Sequence, residues 1–190
     1  MRIDQKARAA PDEEVVAATR AWLERAVIGL NLCPFAKAVH VKNQIRYAVS
    51  AAQTSEDLLA DLVTELRTLQ AADPSEIDTT LLVHPRVLND FLDYNDFLEL
   101  AEAAVAGEGL EGDIQVASFH PQYQFAGTRP QDIENCSNRS PYPMLHLLRE
   151  ASIERAVAVF PDAGQIFERN IETLRRLGHD GWRRLEVNKP

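Results

Sequence analysis

Apolar residues along positions 12–30 recur at three- and four-residue spacing, with Val16, Leu23, Val27 and Leu30 on one stripe that Trp22 and Ala26 widen. That period predicts a helix with one buried side. The period changes to two at 44–50, where Ile45, Tyr47 and Val49 alternate with Arg46, Ala48 and Ser50, the pattern of a strand covered on one face. Thr54 and Asp57 resemble a capping box, with Asp replacing the usual Glu or Gln. They open a helix that places Leu58, Leu62, Leu66 and Leu69 on one side and ends at Asp73-Pro74. Residues 79–84 contain Leu81-Leu82-Val83, apolar on both faces, as expected at the centre of a parallel sheet. A helix over 87–106 stops at Gly107, a natural left-handed cap, and a third strand occupies 114–119. The stretch 120–143 is polar and punctuated by proline. Two helices close the chain at 143–159 and 162–177. The last is predicted with Asp162 and Gln165 as its capping box, Phe167, Ile171 and Leu174 on its core side, and Gly178 as its stop.

Strands separated by helices read as βαβ units joined by right-handed crossovers. The fold class expected is α/β: a three-stranded, mainly parallel sheet in β-α-β-α-β order, with an N-terminal helix and two C-terminal helices. The antiparallel, ferredoxin-like alternative needs a hairpin, and no two predicted strands are joined by a short turn. The chain reads as one domain over 12–184, with residues 1–11 and 185–190 as flexible termini.

Composition adds limits. Hydrophobic residues make up 45% of the 190 and charged ones 26%, ordinary for a chain that buries a core. Asp and Glu outnumber Lys and Arg 29 to 20, for a net charge of −9. An acidic field repels phosphate backbones and anionic lipid, so neither nucleic acid nor membrane is an expected partner, although a local basic cluster can still hold a small anion. No apolar run approaches the ~18 residues of a membrane span, and the N-terminus has no apolar stretch of a secretory signal. A cytoplasmic location is expected. The only cysteines, Cys33 and Cys136, make no disulfide scaffold. GxGxxG, Walker A, GxSxG, HExxH and CxxC patterns are absent from the sequence, against the usual nucleotide-binding and zinc-peptidase chemistries.

Polar residues gather where the strands end. His84-Pro85 and His120-Pro121 follow the second and third strands. In a parallel sheet both histidines emerge at the carboxyl edge, where open α/β sheets bind ligands. The competing reading makes each a strand cap bonded to a nearby carbonyl. Cys33 precedes Pro34, a residue suited to open a helical turn. A thiol at such a cap has a lowered pKa and suits a nucleophile, redox group or metal ligand; otherwise it is a small buried hydrophobe. In the run 134–143, Asn138, Arg139 and Ser140 stand just before the predicted helix starting at Pro143. A helix N-terminus with an arginine beside it suits an anion; the alternative is a loop held by side-chain turns. His146 and Arg149 extend the same helix face toward Ile153 and Val157.

The segments NLCPFA at 31–36, FHPQYQFAG at 119–127, NRSPYPMLHLLRE at 138–150 and SIERAV at 152–157 together resemble a bacterial family catalogued as domain of unknown function 1415. The resemblance runs from the first helix to about Gly178 and implies membership without a chemistry. The leading functional reading is a small-molecule enzyme or binding protein for an anionic, carboxylate- or phosphate-bearing compound. Asn138, Arg139, Ser140, His146 and Arg149 would hold the anion, His84 or His120 would move protons, and Cys33 would be the nucleophile. A second reading is a metal or redox site on Cys33, His84 and His120, with His146. A third is a non-catalytic protein-interaction domain. No cofactor and no oligomeric state follow from the sequence.

Overall fold

A computed structural model describes residues 11–159 and 163–187. Its first helix, α1 (Asp12–Trp22), runs into a π-helical segment, Leu23–Ile28. The covered stripe of α1 falls on Val15, Ala18, Thr19 and Trp22 and leaves Val16 only partly covered. A short helix, α2 (Ala36–Val41), precedes β1 (Ile45–Val49). Helix α3 (Ser55–Ala71) starts at the expected cap, where the Asp57 amide donates to Thr54 Oγ1 at 3.1 Å. Next come β2 (Thr79–Val83), α4 (Phe91–Gly107) and β3 (Ile114–Phe119). A 3-10 turn (Ile133–Asn138), β4 (Met144–Arg149), α5 (Glu150–Ala158) and α6 (Ile166–Arg184) complete the order.

The sheet has four strands in the order β1-β2-β4-β3. β1 and β2 are parallel, and β4 is antiparallel to both β2 and β3. The sheet is therefore mixed, not a three-stranded, mainly parallel one. The extra strand lies in the segment expected to begin a helix. Met144-Leu145 and Leu147-Leu148 are apolar doublets three residues apart, which mimic a helical period. In a central strand the same residues face both ways, Leu145 and Leu147 into one core and Met144 into the other. Only Glu150–Ala158 of the expected 143–159 helix is helical. No hairpin was needed to build the antiparallel strand, because the long 120–143 connection returns the chain from β3 to β4. Two antiparallel steps restore direction, so β3 runs the same way as β1 and β2.

Helices α3 and α4 cover one face, with Leu58, Leu62, Leu66, Leu69, Tyr94, Phe97 and Ala101 against Leu82, Leu145 and Leu147. On the other face Val15, Trp22, Leu23, Ala26 and Val27 meet Leu81, Val83 and Met144. Each fully buried aliphatic side chain there contributes roughly 1.5–3 kcal/mol. Several expected boundaries move. Asp90 caps α4 by accepting from the amides of Leu92 and Asp93, which leaves Val87 and Leu88 in a loop. Gly107 stays helical, and the left-handed residue is Gly109 (φ 70°). Gly178 (φ 67°) breaks α6 as expected of a stop, but the chain resumes its helix to Arg184. Phe167, expected in the core, is 57% exposed. Val187, within the tail expected to be loose, is buried in the second core. Asp162 of the expected capping box and residues 1–10 and 188–190 lie outside the described residues.

Candidate functional site

β2 ends at Val83 and β3 at Phe119, on either side of the start of β4 at Met144. The chain stays extended for one more residue on each side. The His84 amide donates to Pro143 O at 3.0 Å, and the His120 amide donates to Asn138 O at 3.2 Å. Because Val83 and Phe119 face the α1 side, alternation turns both imidazoles toward α4. There Tyr94 joins them. Its ring stacks on His84 at 5.8 Å and lies 5.0 Å from His120. Its hydroxyl donates to Met144 O at 2.8 Å and accepts from the Phe119 amide at 3.0 Å, so one phenol spans the gap between β3 and β4. Phe91 closes the group at 5.4 Å from His120 and 5.3 Å from Tyr123. His84, Tyr94 and His120 are all 0% exposed.

The partners fix the proton positions. The Gln122 amide donates to His120 Nδ1 at 3.0 Å, so that nitrogen is bare, and Nε2–H donates to Leu88 O at 3.2 Å. His84 is the reverse. Its Nδ1 lies 3.0 Å from Val87 O, an acceptor only, so Nδ1 carries the proton. Nε2 is then a bare acceptor, and it is buried without a partner among the described residues. Burial, followed by the neighbouring His120, lowers the His84 pKa to about 4, against the Val87 bond that favours the charged form. Burial also lowers the His120 pKa. Both rings are neutral at pH 7, and each bonds a carbonyl of one loop, 85–90. Leu88 in that loop is left-handed, with φ 55°, which costs a branched L-residue about 1–2 kcal/mol. Arg86 ties the loop's start to Ser50 O at 3.3 Å and to Asp12 at 3.1 Å.

The other expected site residues are not brought to this group. Cys33 lies in the turn before α2 and packs on the opposite face of the sheet. Burial raises its pKa, outweighing the amides of Phe35 and Ala36 that favour the thiolate; the lowered pKa expected of a helix cap is thus overturned. His146 points to that same face, where Thr79 Oγ1 gives its proton to Leu147 O at 2.6 Å and accepts from His146 Nε2 at 2.8 Å. The residue keeps some exposed surface, but its ring is desolvated enough to bring the pKa to about 4.

The segment 138–140 precedes a strand, so no helix N-terminus follows Pro143. Asn138 donates to Ser118 O at 3.1 Å, and Ser140 donates to Tyr142 O at 2.7 Å. Arg139 reaches Tyr123 O at 3.2 Å and also Pro130 O. Arg149 faces α3, where it donates to Leu69 O, to Ala72 O at 2.8 Å and to Ile77 O. It ties the end of α3, at Leu69 and Ala72, to Ile77 in the turn beyond. Among the described residues no group of three or more His, Cys, Asp or Glu side chains is placed to hold a metal ion.

Residues 14–184 match a family model described as a protein of unknown function, DUF1415. The chain belongs to that family. Comparison with curated proteins and with solved structures found no match. In this DUF1415 member the histidines at 84 and 120 were legible as a pair, whereas Tyr94, Phe91 and Leu88 were not singled out. Tyr94 shares the buried helical stripe of Phe97 and Ala101. A buried phenol needs partners for its hydroxyl, and that was the available signal. No sequence signal marked Leu88. No helix among the described residues of this DUF1415 member is long and apolar enough to cross a membrane.

Proposed function

We propose that the carboxyl edge of β2 and β3 binds a small neutral molecule carrying an O–H or N–H donor, which His84 Nε2 accepts. The observation that carries this reading is the bare, buried and unpartnered Nε2 of a ring whose other nitrogen is fixed on Val87 O. Leaving such an atom unmatched costs about 1–3 kcal/mol, and a donor on a ligand offsets that cost. Tyr94, Phe91 and Tyr123 supply apolar walls, the usual make-up of a small-molecule site. Access requires the 85–90 loop to lift, and the unfavourable backbone of Leu88 lowers the cost of doing so.

The anionic ligand expected from the sequence fits this edge poorly. An unpaired charge is costly among neutral buried rings, and Arg139 and Arg149 hold backbone carbonyls. A ring that stays neutral down to about pH 4 is also a weak proton acceptor at pH 7. These points favour recognition over general acid–base catalysis. Native mass spectrometry of freshly purified protein tests the proposal. A non-covalent small-molecule adduct is expected on the wild type and not on a folded His84→Leu variant. No adduct on either, or equal adducts on both, contradicts it.

A further inference from the structure

A cleft of about 600 Å3 lies away from His84 and His120, between residues 129–134 and α6, with Arg129, Asp132, Glu134, Arg175 and His179 in its wall. Its volume falls in the range of small-molecule sites. In a chain of net charge −9 with histidines counted neutral, this wall sets two arginines against two carboxylates, with the His179 ring beside them. The two carboxylates are already matched. Asp132 accepts from the Arg129 amide at 2.9 Å and from its guanidinium at 3.0 Å. Glu134 accepts from Arg175 Nη2 at 2.9 Å. Backbone amides and these arginines hold both carboxyl groups below their usual pKa. The Arg175 guanidinium is not matched to the same degree. A guanidinium has five N–H donors. Among the described residues Arg175 bonds Glu134 through Nη2 alone, which leaves Nε and Nη1 as available donors. Arg129 bonds Asp132 through Nε and Nη2. The break in α6 at Gly178 falls one residue before His179, so the wall gains a ring from the segment that follows the kink.

We propose that this cleft binds a small phosphate- or carboxylate-bearing molecule, held by Arg175 with His179 and Arg129. Anions are matched best by such charge-assisted donors. The site is separate from the histidine edge, and its ligand class is the one that edge disfavours.

The test is a titration of the full chain with inorganic phosphate, and separately with succinate, at constant ionic strength, followed by amide chemical shifts. Saturable shifts are expected in 129–134 and 175–179. Arg175→Gln should weaken binding roughly ten- to hundredfold, and His179→Gln less. Arg155→Gln, which removes the same charge from α5, should leave binding within about twofold. If Arg175→Gln fails to fold, Arg129→Gln and His179→Gln decide. The proposal is overturned if wild-type shifts do not saturate or fall elsewhere. It is equally overturned if Arg155→Gln weakens binding as much as the folded cleft variants do.

Discussion

Arg149 and His84 are both polar, both sit at strand ends, and do opposite things with their hydrogen-bonding capacity. Arg149 is a charged fork that meets three backbone carbonyls at the end of α3 and the turn beyond it. His84 is neutral, fixed through one nitrogen and unmatched at the other. In sequence, Arg149 was expected to help Asn138, Arg139 and Ser140 hold an anion. Within this fold it is a structural tie, whereas His84 Nε2, like Tyr47 Oη and Thr80 Oγ1, is buried with no partner among the described residues. The comparison teaches that an unmet bond, not polarity as such, separates a candidate site from a scaffold.

The sharpest way to break this contrast is acid. His84 and His146 have folded pKa values of about 4, below the unfolded value near 6.5. The unfolded chain therefore binds more protons between those limits. The stabilisation is complete above about pH 6.5 and is lost as pH falls toward 4. Each ring contributes on the order of 3 kcal/mol over that window. Urea midpoints should fall steeply from pH 6.5 to 4.5, before most carboxylates titrate. A flat profile in that interval contradicts the burial of neutral rings.

Arg149→Met comes next. It keeps the aliphatic stem and removes the donors, so stability should fall by about 2–4 kcal/mol. A loss under about 0.5 kcal/mol in urea unfolding would mean the carbonyls find water instead. Tyr94→Phe strips the hydroxyl that joins Met144 O to the Phe119 amide and should cost about 2 kcal/mol. It should also disturb the amide resonances of His120 and Met144. The smallest effect concerns Cys33. With burial raising its thiol pKa, iodoacetamide should label it more slowly in the folded protein than in urea. Equal rates in both states would restore the reactive thiolate.

Much of the scaffold was readable because its signals are local. The Thr54 cap, the leucine stripe of α3 and the strand at 45–49 each depend on near neighbours, although that strand is partly covered on both faces, with Ala48 packed on the α3 side, and not on one face as expected. The two histidines were placed at one edge correctly, since β3 does run with β2. The reason involved an unforeseen strand. Residues 144–149 carry two apolar faces in a six-residue run, and periodicity cannot separate a central strand from a helix at that length. Misplacing that strand carried Arg139, His146 and Arg149 with it. A helix start at Pro143 would have aimed them at a ligand, whereas strand alternation sends His146 and Arg149 to opposite faces. The partners of Tyr94 and Leu88 lay beyond reach for another reason. Their roles depend on contacts with residues as far away as Met144 and His120.

The central claim concerns the proton on His84. Long-range proton–nitrogen spectra of histidine-labelled protein report tautomer and charge directly, and His84→Leu assigns the signal. The account predicts a neutral ring at pH 7 with Nδ1 protonated and Nε2 bare, remaining neutral until the pH falls below 5. Its Nε2 resonance should be distinct from that of His120, whose proton sits on Nε2. A His84 ring protonated on Nε2, or one titrating near pH 6.5, would contradict the account and remove the basis for the proposed site.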